Sequence, residues 1–205
     1  MCPFCYIGKR KFELALQNFP HKSVVEVDWK SFQLNPDLAT DPNKKTLDYL
    51  AEIKGCSLEH AKSMSDNVSK IAKSVDLHYD LENAVVANSF DAHRFLHLAK
   101  YHGLQNAAEE RLFAAYFTEA KNTADHETLI QLGVDIGMNA EETREMLTSS
   151  DFSMDVNRDI QEAVEIGIKG VPFFVLDRKF AISGAQESSV FLNALNELWN
   201  EKESG

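Results

Sequence analysis

Cys2-Pro3-Phe4-Cys5-Tyr6-Ile7-Gly8-Lys9-Arg10 stands almost at the first residue of the chain. Pro3 suits the first turn of a helix, where its missing N–H would have had no partner. Cys5, Gly8, Phe12, Leu16 and Phe19 continue along one helical face, and the spacing predicts a helix over residues 3–19, closed by Asn18-Phe19-Pro20. Cys2 then stands at the mouth of that helix. Unpaired N–H groups and the positive end of the peptide dipole favour a thiolate there, and the thiolate is the species that attacks disulfides. Cys5, one turn deeper on the face of Phe12, is expected to be less exposed and placed to attack a mixed disulfide formed on Cys2. The two sulfurs have unequal roles: Cys2 is the nucleophile and Cys5 the resolving thiol.

Two other readings of the pair stay open on spacing alone. A CxxC is half of a zinc site, but tetrahedral zinc takes four ligands, and Cys56 stands by itself. His93 and His97 have the i, i+4 spacing of a helical metal pair, yet Arg94 stands where a zinc protease carries its glutamate. Inert structural thiols are the third reading. The distant Gly170-Val171-Pro172-Phe173 weighs for redox chemistry. A proline opening an apolar strand is tolerated in general, but opposite a CxxC helix the Val171 backbone is placed to offer polar groups to an extended peptide. On this reading neither a metal nor an organic cofactor is needed.

Outward from the dithiol, the period changes. Val25, Val27 and Trp29 alternate with charged residues, which predicts a strand over 24–32, ended by Leu34-Asn35-Pro36-Asp37. Residues 43–168 show no comparable strand and read as an insertion of five to seven helices. One begins behind a Ser57 cap, one runs over 90–101 with Asn88 or Ser89 as its cap, and one follows the capping-box spacing of Asn139 and Glu142. Strands return at 171–176 and 180–182 around an Asp177-Arg178 turn. A last helix carries Val190, Phe191, Ala194, Leu195, Leu198 and Trp199. The order is α/β with an inserted helical domain: residues 1–42 and 169–205 form one domain, 43–168 the other.

Composition narrows the function. Lys and Arg total 21 against 32 Asp and Glu, a net charge of −11, which argues against a phosphate-tracking nucleic-acid binder. A hydrophobic content of 44% suffices for a sizeable core. No apolar run approaches a membrane span. The lack of a signal segment points to the cytoplasm, an inference weakened by a chain that starts inside its own motif. The three cysteines are too few for a disulfide scaffold. The Lys9-Arg10-Lys11 cluster reads first as a solvated helix face, Cys56 as a small buried hydrophobe, and His97 as structural. His93 reads first as a packing histidine, with proton transfer in a cleft as the sharper alternative. The stripes Phe113, Tyr116, Phe117 and Phe191, Trp199 are core or homodimer contacts.

Four segments taken together resemble the FrnE-like branch of the DsbA family: Cys2 to Arg10, Phe32-x-Leu34-Asn35-Pro36, Asn88 to Arg94, and Gly170 to Val175. The resemblance runs from end to end. It implies a thioredoxin-like fold interrupted by a large all-helical insertion, a Cys2/Cys5 redox pair, a cis Pro172, and disulfide oxidoreductase or isomerase activity. The partner it implies is a disulfide- or thiol-containing protein or glutathione. Phe4, Val171, Pro172, Asn35 and His93 are the expected substrate-binding positions. Kappa-class glutathione transferases and 2-hydroxychromene-2-carboxylate isomerases are similar around Asn35-Pro36 and Val171-Pro172 but carry serine in place of Cys2; a glutathione-dependent transferase or isomerase is therefore the alternative. With an uncharged Phe4 between the cysteines, the Cys2 pKa is expected below the free value of ~8.5 and above the ~3.5 of DsbA. One departure stands out. The fold implies a strand ahead of Cys2, between the 24–32 and 173–176 strands, so either an upstream strand or another segment is expected in that slot.

Overall fold

The computed structural model describes residues 1–204. In chain order its elements are α1 (Pro3–Asn18), a 3-10 turn (Lys22–Val24), β1 (Asp41–Lys45), α2 (Thr46–Lys54), α3 (Leu58–Lys73), β2 (Val85–Val86), α4 (Phe90–Tyr101), α5 (Gln105–Phe117), α6 (His126–Asp135), α7 (Ala140–Thr148), α8 (Ser153–Glu165), β3 (Phe173–Leu176), β4 (Phe180–Ser183) and α9 (Ser188–Ser204). They group into two units. One holds Cys2–Asp28 and the chain from Ile168 onward; the other holds Met1 and Trp29–Gly167.

The smaller unit is built from α1, α9 and the β3–β4 hairpin. The hairpin pairs Phe173 with Ser183 through Leu176 with Phe180. Its connection has Asp177 at φ 49° and Arg178 at φ 57°, and Lys179 N–H donates to Leu176 O at 3.0 Å. Two successive residues at positive φ give the turn a twist matching that of the strands. Under the hairpin, α1 lays Ala15 and Phe19 against Phe191, Leu195 and Leu198 of α9. Phe12, Phe174 and Phe191 form a triangle of rings, with centroids 5.7, 5.7 and 4.7 Å apart. Phe191 is fully buried, and burial of such a side chain contributes about 1.5–3 kcal/mol. His21 stacks on Trp199 at 3.8 Å at the far end of α1.

The expected strand over 24–32 is not found. Val24 closes the 3-10 turn, and the residues after it belong to no ladder among those described. Among the described residues β3 pairs only with β4, and no described strand is paired with its other edge. Alternation of apolar and charged residues marks an extended chain, but a strand also needs a hydrogen-bonding neighbour. From Trp29 on, side chains of the helical unit supply those bonds instead. Gln105 accepts from Trp29 N–H (3.2 Å) and donates to Trp29 O (2.9 Å). Asp159 accepts from Ser31 N–H at 3.0 Å. His93 Nε2 meets Phe32 O at 3.1 Å. These bonds explain why residues 29–42 group with the helical unit rather than with α1.

That unit contains α2 to α8, seven helices among the described residues. Its core joins Ala92, Phe95, Leu96 and Ala99 of α4 to Leu112 and Ala115 of α5, Leu129 and Leu132 of α6, and Met146 and Leu147 of α7. Ser57 accepts from His60 N–H at the start of α3, and Asn139 accepts from Glu141 and Glu142 N–H at the start of α7, each satisfying donors that helix geometry leaves unpaired. At α4 it is Asn88, not Ser89, whose side chain accepts, from Phe90 N–H at 2.8 Å. The buried Arg94 closes the C-terminus of α7, donating to the carbonyls of Met146, Ser149 and Asp151 at 2.5–2.8 Å and to Asp91 at 2.8 Å. The insertion is not wholly helical: β1 and β2 form a short irregular antiparallel ladder, invisible in a segment as polar as Asp41-Pro42-Asn43-Lys44-Lys45. Among the described residues no helix is long and apolar enough to cross a membrane.

Candidate active site: a dithiol beside a prolyl turn

Cys2 is the N-cap residue of α1, with extended backbone (φ −94°, ψ 119°) and Pro3 opening the helix behind it. Cys5 N–H donates to Cys2 O at 3.1 Å. Both cysteines are partly buried and reduced, and Phe4 between them is exposed. Hydrogen bonding from the Cys5 thiol lowers the Cys2 pKa most; burial opposes it, and the backbone N–H groups of Phe4 and Cys5 lower it further, leaving it at about 7. At neutral pH a large fraction of this sulfur is thiolate.

Across from the dithiol runs the segment leading into β3. The Val171–Pro172 peptide is cis, as the resemblance implies. The Cys2 thiol donates to Val171 O at 3.3 Å, and Pro172 O is held by Gly184 N–H at 2.8 Å. Cys2, Cys5, Phe4, Val171 and Pro172 therefore come together in one unit, from residues up to 170 positions apart in the chain.

The cations that follow are not a solvated face. Lys9 and Lys11 are only 3% and 9% exposed. Lys9 pairs with Glu13, while Lys11 pairs with Glu187 and reaches Ala185 O. Arg10 donates to Glu13 (2.9 Å) and to the Tyr6 hydroxyl (3.0 Å). Lysine stems bury readily where a carboxylate meets the ammonium, and Glu187 is too distant in sequence for the pattern to have shown it.

Asn35 and His93 belong to the larger unit. Asn35 is exposed and reaches the Tyr49 hydroxyl at 3.5 Å. His93 donates from Nε2 to Phe32 O, since a carbonyl only accepts, and its Nδ1 is buried without a partner. Burial is the chief cause that holds its pKa down at about 4, so it is neutral at physiological pH. His97, Ser31 and Asp159 cluster nearby in sequence type like a hydrolase triad. The geometry differs: Ser31 Oγ (3.1 Å) and Asp159 Oδ2 (3.2 Å) both face the same His97 nitrogen, Nε2, which leaves that nitrogen unable to take the serine proton. Cys56 is partly buried behind Gly55, with its N–H on Ala51 O at 3.0 Å. Among the described residues no group of three or more His, Cys, Asp or Glu is placed to hold a metal ion.

Sequence spacing reads Gly8 only as one member of a helical face. A methyl group built on it would lie 3.2 Å from Pro172 Cγ and 3.3 Å from Phe174 Cζ, closer than side chains ordinarily pack. The signal available in the sequence was a glycine inside a helix, which costs roughly 1 kcal/mol against alanine and so calls for a reason.

The chain matches the family model of the DSBA-like thioredoxin domain over residues 1–196. A probable DsbA oxidoreductase from Streptomyces coelicolor is similar in structure, with a TM-score of 0.92 and 40% identity, over 98% of this chain and 86% of that one. The uncharacterized protein YwbO of Bacillus subtilis (strain 168) is 25% identical over 98% of this chain and 94% of its own length. A 2-hydroxychromene-2-carboxylate isomerase shares the fold at a TM-score of 0.69 and 14% identity, over 99% of this chain and 94% of that one.

Proposed function

Given that the chain belongs to the DSBA-like thioredoxin domain family, we propose that it is a thiol–disulfide oxidoreductase or isomerase working through Cys2 and Cys5. The Cys2 thiolate attacks one sulfur of a substrate disulfide; the other substrate sulfur leaves as a thiolate and takes up a proton. Cys5 then gives up its proton and attacks the Cys2 sulfur of the mixed disulfide, freeing the second substrate thiol. The substrate gains two electrons and the enzyme ends with a Cys2–Cys5 disulfide; oxidation of a substrate dithiol is the same sequence in reverse. Phe4, Val171 and Pro172 flank the attacked sulfur and meet the substrate, a thiol- or disulfide-containing protein or glutathione. Asn35 and His93 take part in no step of this proposal.

The observation that carries the reading is the geometry of the dithiol: Cys2 caps the mouth of α1 with Cys5 one turn behind it, and its thiol faces the Val171 carbonyl at 3.3 Å beside Pro172, a setting in which its pKa is lowered to about 7. A sulfur near neutrality in its ionisation is close to the optimum for disulfide attack. Replacing Cys5 by Ser tests it. The expected result is mixed disulfides trapped on Cys2 and loss of turnover with a dithiol or disulfide substrate. Continued turnover by the Cys5→Ser protein with glutathione would overturn the proposal in favour of a glutathione-dependent transferase or isomerase.

A further inference from the structure

Gly8 sits in the middle of α1, with helical backbone and no need for the left-handed region that usually selects glycine. Alanine would suit such a helix position better by roughly 1 kcal/mol. What the missing side chain permits is contact between α1 and the segment 172–174: Pro172 Cγ and Phe174 Cζ occupy the space a methyl group would need. The next turn of α1 adds Phe12, whose ring meets Phe174 at 5.7 Å. Two residues before Phe173, Val171 receives the Cys2 thiol. The chain that carries Val171 thus lies along α1, meeting it at Cys2, at Gly8 and at Phe12.

We infer that Gly8 is a positioning residue for the dithiol: by letting Pro172 and Phe174 lie directly on α1, it holds the Val171 carbonyl against Cys2 and thereby tunes how readily that sulfur ionises. The inference deepens the proposed function, and rests on its assignment of Cys2 as the attacking sulfur. The direction of the effect follows from elementary electrostatics. A carbonyl oxygen facing S–H accepts the proton's hydrogen bond and opposes negative charge on sulfur, so it favours the neutral thiol. A side chain at position 8 would push Pro172, and Val171 with it, away from α1. The thiolate would lose an opposing dipole while keeping its donors at Cys5 and the Phe4 and Cys5 N–H groups. Because a more stable thiolate stabilises the reduced form, the dithiol would also become harder to oxidise.

The test compares Gly8→Ala with the parent protein by thiolate absorbance against pH, and by redox equilibrium with glutathione. The expected result is a Cys2 ionisation constant about threefold or more larger in Gly8→Ala, with the equilibrium shifted toward the dithiol. Adding Phe174→Leu, whose side chain ends short of the phenyl tip, removes the Cζ contact but leaves the one with Pro172 Cγ, and is expected to bring both values only part of the way back toward those of the parent. A folded Gly8→Ala protein with unchanged ionisation and redox equilibrium would overturn the inference. Should Gly8→Ala not fold, the doubly substituted protein decides: a folded protein whose Cys2 ionisation constant exceeds the parent's supports it, and a parental constant or failure to fold overturns it. Neither readout requires turnover, so an inactive parent protein would sink the proposed function and leave this comparison standing.

Discussion

The Cys2 thiol donates to the Val171 carbonyl oxygen at 3.3 Å, so one sulfur answers to opposing partners. On its own helix, the Cys5 thiol and the N–H groups of Phe4 and Cys5 favour the anion. From across the site, the Val171 acceptor favours the protonated form. A nucleophile that must also serve as a leaving group gains from such a balance, since a very stable thiolate attacks slowly.

Cys5 supplies the largest of the stabilising contacts, so Cys5→Ala is expected to raise the Cys2 pKa from about 7 toward the ordinary thiol value. Thiolate absorbance against pH measures this directly. The same shift has a consequence for stability. Between about pH 7 and the unfolded thiol pKa, the unfolded chain binds more protons than the folded one, so the reduced protein gains stability as pH rises through that window. The gain is at most about 2 kcal/mol, and denaturant titrations of the Cys5→Ala protein should show it diminished.

Much of this site was legible because its determinants are local. The helix-mouth cysteine, Pro3 at the first turn and the spacing of Cys5 lie within four residues, and the apolar run Val171-Pro172-Phe173-Phe174 announces its own strand. The same holds for the Ser57 and Asn139 caps, each bonded within three residues. What stayed hidden depends on partners far along the chain. Lys11 looks like a surface cation until Glu187 is placed beside it. Residues 25–32 carry the alternation of a strand, but whether an extended chain joins a sheet depends on what lies beside it. Here Gln105, Asp159 and His93 supply the bonds to Trp29–Phe32, and nothing in the local pattern foretells them.

Asp159 is the anchor of that segment. It is buried, accepts from Ser31 N–H at 3.0 Å and Lys30 Nζ at 3.1 Å, and faces His97. Burial works against its charge, yet the bonds from His97, Ser31 and Lys30 outweigh it and hold the carboxyl well below its usual range. Asp159→Ala leaves the buried Ser31 amide without its acceptor and leaves His97 Nε2 with Ser31 Oγ alone, and is expected to cost about 2–4 kcal/mol. Denaturant unfolding gives the loss, and faster hydrogen exchange at the Ser31 amide gives its location. Unchanged exchange there would show that the segment is held by other bonds.

His93 titrates in a separate window. Its folded pKa of about 4 lies below the unfolded value of ~6.5, so between those values the unfolded chain binds the extra proton. Stability is therefore expected to fall as pH drops from ~6.5 to about 4, by up to about 3 kcal/mol, with no further loss from His93 below that. Burial comes first among the causes; neighbouring His97 lowers the His93 pKa further, and the Phe32 carbonyl and Asp159 act against the shift. His93→Gln keeps a donor for Phe32 O and cannot titrate. Unfolding free energies of that variant should lose the slope between pH 6.5 and 4; a slope that persists would place it on another group. The Asp159 carboxyl, whose folded pKa is depressed, adds its own loss as pH falls from the unfolded carboxyl value of ~3.9 downward.

Arg94 tests whether shape, beyond charge, holds α7 in place. Its guanidinium is buried and spreads its donors over three carbonyls at the end of α7, with one more N–H on Asp91. Helix ends leave carbonyls without partners, and here a planar fork reaches Met146, Ser149 and Asp151 at once. Lysine keeps the positive charge near the same helix terminus, but its ammonium is a compact centre that cannot reproduce the spread of the fork. Arg94→Lys is therefore expected to lose about 2–3 kcal/mol, most of what Arg94→Ala loses, because hydrogen bonds from a charged donor contribute about 1.5–3 kcal/mol each and only Met146 O keeps another donor, at Ser149. If thermal or denaturant unfolding placed Arg94→Lys within about 0.5 kcal/mol of the parent, a range ordinary for surface changes, charge alone would be holding the terminus.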